Sequence, residues 1–200
     1  MEKDKLNLPQ DPLTLFHQWF ELAVSAEPND PDAMALATST PDGHPVVRMI
    51  LLKQADQRGF KFHSNEQSLK GRHLAMNPNA ALCFHWKSLH MQVCVQGTVE
   101  IAPDSETDEY FATRPYERQI GAWASDQTRP LENREILEKK IKEFQKKYPP
   151  GTVPRPPRWV GYILNPRRIE FWWSHPHRLH DRFEYTREEN GIWNLQRLYP

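Results

Sequence analysis

Cysteine is almost absent from this chain. Cys83 and Cys94 are its only two; neither sits in a CxxC or metal-ligand spacing, and both fall in apolar runs. They read as reduced core thiols, which argues against a disulfide scaffold or a zinc module. Net charge is missing too, since 26 Lys and Arg balance 26 Asp and Glu. A global nucleic-acid or polyanion binder loses its support, and only local basic patches remain. No run of about 18 apolar residues occurs. The N-terminal MEKDKLNLPQDP lacks the apolar core of a secretory signal, so neither a membrane span nor export is expected, and the expected compartment is the cytoplasm. With no GxGxxG and no GxxxxGK(S/T), dinucleotide-fold and P-loop readings are poor. Internal repeats and low-complexity tracts are lacking. Glycine is scarce, 8 residues against 18 prolines. With a mean hydropathy of −0.79, that predicts a soluble protein with stiff loops.

Aromatic residues, in contrast, are plentiful: 7 Trp, 6 Tyr and 9 Phe in 200 residues supply the core of one ordinary domain. A chain of this length buries about 70% of its unfolded surface and needs no staples. Residues 1–10 are expected to form a flexible N-terminal segment and 11–200 a single domain. Asp11 as N-cap, Pro12 behind it, and Leu13, Phe16, Phe20 and Ala23 at helical spacing predict a helix over 12–26. Ala33–Ser39 and Pro45–Lys53 predict a hairpin across the turn at Pro41-Asp42-Gly43. Phe60–Ser64 and Ala80–Trp86 predict two further strands, with a short helix over Ser68–Met76 between them. Met91–Ala102 alternates: Met91, Val93, Val95, Val99 and Ile101 share one face of a half-buried strand. Asp104–Thr113 and Arg118–Ala124 are short helix candidates. Leu131–Tyr148 is a helix with the stripe Leu137, Ile141, Phe144 and Tyr148, and with ion pairs expected for Glu135–Lys139 and Glu138–Lys142; its charge run reads as a solvated face. YPPGTVPRPPRW is a rigid connector. Four strands close the chain: Trp159–Leu164, Arg168–Trp173, Arg182–Arg187 and Trp193–Arg197. Strands outnumber helices and run as meanders, so the expected class is mainly β with peripheral helices (α+β), an antiparallel barrel.

A few polar residues stand out against this frame. Arg48 interrupts the apolar strand VVRMILL, where a guanidinium is costly unless it meets an anion or pairs with an internal carboxylate. Lys53 closes the same strand; in a regular strand it points to the face opposite Arg48, and taken alone it reads as a snorkelling strand-end lysine. Ser64 to Lys70 joins a strand to a helix, where hydroxyls, free N–H groups and a lysine suit either a phosphate or a simple cap. Tyr110 and Arg114 are four apart at a helix end, spaced to grip a phosphate or to stack on each other. Trp172 to Phe183 packs two Trp, three His and two Arg into one strand–loop–strand unit. A metal site at His175, His177 and His180 finds no cysteine or carboxylate cluster to complete it. A structural role, and a site for a planar phosphorylated aromatic, both stay open. No nucleophile–base arrangement is established by local spacing, so a cofactor is expected to carry the reactive chemistry, with no metal.

Taken together, DPLTLFHQWF, AMALAT, RMILLK, FHSN with SLKG, QVCVQG, YFATRP with QIGAWASDQ, PPRWVGY, and IEFWW with HRLHDRF and RLYP resemble the pyridoxamine (pyridoxine) 5′-phosphate oxidase family. The likeness runs from Asp11 to Pro200. It implies an FMN-binding split β-barrel, active as a homodimer with FMN at the subunit interface. It also implies oxidation of pyridoxamine or pyridoxine 5′-phosphate to pyridoxal 5′-phosphate, with dioxygen reduced to hydrogen peroxide. Carried over position by position, FMN contacts fall along Arg48, Met49, Ile50, Leu51, Leu52 and Lys53, then on His63, Ser64, Lys70, Gln92, Gln127, Thr128, Trp172 and Arg182. Lys53, Tyr110 and Arg114 would hold the substrate phosphate. Arg178 and His180 would sit over the pyridine ring as the catalytic pair, and Asp30 matches a loop carboxylate near the family's site.

The departures from the family's pattern have chemical content. Leu69 stands where the family has an arginine beside the phosphate-binding lysine, which removes one charge-assisted bond worth about 1.5–3 kcal/mol; Arg72 is the candidate substitute. His63 replaces a tyrosine. Arg118 replaces the serine of the substrate-phosphate site, where it either strengthens or obstructs binding. The family's N-terminal Arg-x-x-Tyr lid has no counterpart in the ten residues before Asp11, which implies a site more open to water. Two rival readings follow from these changes. One is a paralogous flavin oxidase of the phenazine type, and the other is a non-catalytic binder of FMN or pyridoxal phosphate.

Overall fold

The computed structural model describes residues 8–200. Helix α1 (Pro12–Ala26) begins where expected: the Asp11 carboxylate accepts from the Leu13 N–H at 3.1 Å, and Pro12 occupies the first turn. Its buried face carries Phe16 into an aromatic core, with ring centroids 4.9 Å from Phe60 and 5.1 Å from Phe84. Residues 8–10, read from sequence as part of a flexible arm, are held. Leu8 packs on the core and the Pro9 carbonyl accepts from the Tyr185 hydroxyl at 2.7 Å. The rest of that arm lies outside the described residues.

Among the described residues the strands are β1 (Ala33–Ser39), β2 (Pro45–Leu51), β3 (Gln54–Asp56), β4 (Gly59–Asn65), β5 (Asn79–Trp86), β6 (Met91–Ile101), β7 (Trp159–Trp173), β8 (Asp181–Arg187) and β9 (Trp193–Leu198). All pair antiparallel, in the order β2-β1-β5-β6-β7-β4-β3, and β8 and β9 continue from β7. The sheet curls but its path keeps two ends, so the expected barrel is an open one. Helices α2 (Leu69–Met76), α3 (Asp104–Ala112), α4 (Tyr116–Ala124) and α5 (Arg134–Lys147) lie around it.

Four sequence expectations need correction. The expected strands Trp159–Leu164 and Arg168–Trp173 are one strand. Its first half pairs with β4 and its second half with β8, both on the side away from β6. Pro166, which reads as a breaker, falls in the gap between β4 and β8, where no ladder donor is needed. Opposite it the register of β6 shifts at Gln96/Gly97; a Cβ on Gly97 would come within 2.0 Å of the Asn165 carbonyl oxygen. The extra residue is Arg167 of β7, so the alternation of β6 continues past the bulge: Met91, Val93 and Val95 are buried and Val99 packs on the core, but Ile101, the last residue of the strand, is exposed. Strand β3 was not anticipated, being three largely polar residues. On α5 the expected stripe is half-buried, but the ion pairs differ: Arg134 meets Glu138, and Lys140 meets Asp126 of the preceding loop at 2.5 Å.

Candidate active site

A cavity of about 790 Å³ opens beside edge strand β2, walled by β4, the start of α2, α3, α4 and the loop after α4. Arg48, Met49, Ile50, Leu51, Lys53, His63, Ser64, Lys70, Tyr110, Arg114, Arg118, Gln127 and Thr128 line it. Thirteen residues singled out from sequence are thus brought to one place. Arg48 and Lys53 do not point apart as a regular strand requires. Strand β2 ends at Leu51, the chain leaves the sheet there, and both cations reach the same space. Leu52 turns into the core instead.

One end of the cavity is a cradle of donors. Ser68 caps α2. Lys70, buried in the first turn of α2, contacts Ser64 Oγ at 3.1 Å, Ser68 Oγ at 3.2 Å and Gln127 Oε1 at 3.0 Å. The Leu69 N–H donates to Thr128 Oγ1 at 2.8 Å. Lys70 has no carboxylate partner among the described residues; burial, and then the charge of Arg48, push its pKa down to about 8. Arg48 donates to the Leu36 carbonyl at 3.0 Å and to Thr38 Oγ1 at 2.8 Å, both neutral acceptors. Among the described residues no internal carboxylate pairs with it. Arg72, the candidate substitute for the missing arginine at 69, donates to the Gln67 carbonyl at 2.6 Å and does not line the cavity.

The other end is an aromatic cluster. The rings of His63, Tyr110 and Trp159 lie nearly parallel and side by side, with centroids 4.4 Å apart for His63–Tyr110, 4.7 Å for His63–Trp159 and 6.1 Å for Tyr110–Trp159. The Arg114 guanidinium lies 4.8 Å from the Trp159 ring centre and 5.5 Å from that of Phe111. Tyr110 and Arg114 therefore belong to one cluster, Tyr110 against His63 and Arg114 against Trp159 and Phe111, because α3 ends at Ala112 and Arg114 lies beyond it. Burial, with Lys61, Arg114, Lys53 and Arg155 nearby, pushes the His63 pKa down to about 3, so its ring is neutral. Lys53 pairs with Asp32 at 3.0 Å, a partner that sequence reasoning missed, as it missed Trp159. Of four buried side-chain polar atoms without a hydrogen-bond partner among the described residues, three belong to His63 and Arg114. Unpaired buried donors are costly, and together with the uncompensated Lys70 and Arg48 they suit anionic groups.

The remaining candidates lie elsewhere. Gln92, Trp172 and Arg182 form one row across β6, β7 and β8, with the His180 ring centre 4.6 Å from that of Trp172. Here carboxylates are plentiful. Arg182 donates to Glu170 at 2.8 Å, Arg168 pairs with Glu184, and Arg197 pairs with Asp181. Arg178 and His180 sit on the turn before β8. Asp30, exposed at φ 42°, precedes β1. None of these lines the cavity of its own chain. Among the described residues no three His, Cys, Asp or Glu side chains group as a metal site, and no helix is long and apolar enough to cross a membrane.

Comparison with known proteins decides the family. Residues 20–148 match the family model "Pyridoxamine 5'-phosphate oxidase", and residues 159–200 match "Pyridoxine 5'-phosphate oxidase C-terminal dimerisation region". The chain belongs to the pyridoxamine 5′-phosphate oxidase family. Among family members, the pyridoxine/pyridoxamine 5′-phosphate oxidase of Gluconobacter oxydans is 51% identical over 195 residues, covering 98% of this chain and 97% of that protein. The Brucella canis protein of the same name is 51% identical over 198 residues, covering 98% of each. The solved structure of PhzG from Burkholderia lata, in complex with tetrahydrophenazine-1-carboxylic acid, superposes with a TM-score of 0.91 at 34% identity, covering 96% of this chain and 94% of that one. An FMN-binding protein from Nostoc punctiforme, at 14% identity and a TM-score of 0.77, shares the fold of the family.

Proposed function

We propose that this protein is an FMN-dependent oxidase of pyridoxamine and pyridoxine 5′-phosphates, producing pyridoxal 5′-phosphate. One observation carries the reading: the family's anion-binding positions converge on a single cavity in which Lys70, Arg48 and Arg114 have no carboxylate partner among the described residues. Ser64, Lys70, Gln127 and Thr128 would hold the FMN phosphate, with Arg48 and the β2 backbone beside the rest of the cofactor. Leu69 leaves this cradle one cation short. Lys53, Tyr110, Arg114 and Arg118 would bind the substrate phosphate; Arg118 is exposed and lines the cavity, so it adds charge there. FMN, when bound, supplies hydride acceptance from C4′ and electron transfer to dioxygen, which leaves as hydrogen peroxide.

Gln92, Trp172, Arg178, His180 and Arg182 would come from the second subunit of a homodimer, placing the FMN between subunits. Support comes from the match to a dimerisation region and from the apolar side chains of β2 beside the cavity, where Val47 and Met49 are 64% and 65% exposed. Arg178 and His180 would then orient the pyridine ring and stabilise charge as it develops. One nine-stranded sheet supports reading 11–200 as a single domain. The cytoplasm, where facing thiols such as Cys83 and Cys94 stay reduced, is the proposed compartment.

Anaerobic addition of pyridoxine 5′-phosphate to FMN-loaded protein tests the reading. Bleaching of the flavin absorbance, with recovery on admitting air, is expected. An unchanged spectrum despite demonstrated FMN binding would overturn it. The likeness to PhzG, solved with tetrahydrophenazine-1-carboxylic acid, and the altered residue at 118 make a tricyclic substrate of that kind the second arm of the same experiment.

A further inference from the structure

Between β7 and β8 the chain turns through residues 174–180. His177 and Arg178 lie there at φ 59° and 61°. The other described non-glycine residues with positive φ, namely Asp30, His90 and Thr128, are isolated. Left-handed backbone is unfavourable for any residue with a Cβ, and two in succession persist only where the surroundings over-determine them.

Several contacts hold the neck of this turn. His175 Nε2 lies 2.6 Å from Asp181 Oδ2, across the neck. Asp181 is itself buried, and its other oxygen accepts from Arg197 of β9. The His175 N–H donates to His180 Nδ1 at 3.2 Å, and the Ser174 N–H donates to the His90 carbonyl at 3.0 Å. A ring nitrogen that accepts a backbone N–H carries no proton, so the neutral His180 ring offers its single N–H at Nε2.

The geometry points to His175 as a positioning residue: its imidazole clasps the two ends of the strained turn through Asp181, and so fixes the orientation of Arg178 and His180 and the tautomer of His180. This rests on the proposed function, in which those two residues meet the substrate ring. The family resemblance assigns Arg178 and His180 and gives His175 no role. Asp181 cannot serve alone, because Arg197 draws it toward β9; the link from its carboxylate back to the front of the turn is His175.

The test compares His175→Leu, which keeps bulk and removes the donor, with His175→Gln, which keeps an N–H donor at similar reach. Two quantities are read on FMN-loaded protein: amide hydrogen exchange of the peptide spanning 174–181, and steady-state kinetics with pyridoxine 5′-phosphate. Exchange is expected to quicken several-fold in His175→Leu. Its kcat should fall by about tenfold or more, with FMN affinity, Tm and KM held near the parent's, and His175→Gln should recover most of both losses. A leucine variant with parental exchange and kcat would overturn the inference. So would a kcat loss that tracks a loss of Tm or of FMN affinity and is not recovered by glutamine. If the parent protein's flavin is not bleached by substrate, the functional reading fails and the catalytic role of the clasp fails with it. The exchange measurement then still reports whether His175 holds the turn.

Discussion

Arg48, Lys70 and Arg114 in the cavity meet hydroxyls, an amide oxygen, a carbonyl and aromatic faces. Arg168, Arg182 and Arg197, on β7 to β9, are each held by Glu184, Glu170 or Asp181. Both regions are rich in cations, and they treat them oppositely. On the C-terminal strands the carboxylates come from the chain, so those arginines are fixed with or without a ligand. In the cavity the compensating charge is left to something that binds. Burial lowers the pKa of Arg48, Arg114 and Lys70, which is the electrostatic cost of holding a site ready for anions. Lys53, paired with Asp32, is the cavity's exception. Arg178 is the exception on the other side, with no ion-pair partner among the described residues.

Arg178 gives the sharpest way to break this contrast. Arg178→Ala is expected to lower kcat by about a hundredfold or more, on the scale of removing one preorganised charge-stabilising donor, while FMN affinity changes little. Stopped-flow flavin reduction beside an FMN titration checks both, and near-parental turnover would remove Arg178 from the chemistry. Lys70 comes next. Lys70→Met should weaken FMN binding by about 10- to 100-fold, the loss of a hydrogen bond to a charged group, measured by fluorescence quenching.

The same lysine sets a pH dependence. Its folded pKa, about 8, lies below its unfolded value, so its burial penalty on the ligand-free fold is full below pH 8 and is relieved as pH rises toward 10.5. A bound phosphate keeps the ammonium charged, so FMN affinity should fall roughly tenfold from pH 7 to 9. Lys70→Met should flatten that slope. The smallest effect is a gain: Leu69→Arg, restoring the family's cation, should tighten FMN by about tenfold in the same titration, the low end of the range for a bond to a charged group.

The parts of the fold legible in the sequence are those with local punctuation. Asp11-Pro12 marks the start of α1, and Pro41-Asp42-Gly43 sets the β1–β2 hairpin. What escaped depends on distant partners. Pro166 ends a strand by every local rule, and only the gap between β4 and β8 makes it harmless. Glu138 pairs with Arg134, and Lys140 with Asp126 across the α4–α5 loop, because on an exposed helix face a pair four residues apart is worth only a few tenths of a kcal/mol and yields easily to a neighbour. The site divides the same way. Arg48 announced itself as a charge in an apolar strand, whereas Asp32 and Trp159 carried no local signal, and the cradle around Lys70 was weak until Gln127 and Thr128, some sixty residues on, closed over it.

Strand β7 begins at Trp159, in the wall of the cavity, and reaches Trp172, in the row with Gln92 and Arg182. At about 3.3 Å per residue those two indoles stand on the order of 40 Å apart along the strand, farther than one flavin extends. In a homodimer of the proposed kind, each catalytic centre then draws its two ends from different chains. An allele broken at Lys70 and another broken at Arg178, each impaired alone, would complement when expressed together: a mixed dimer places both lesions in one centre and leaves the other intact.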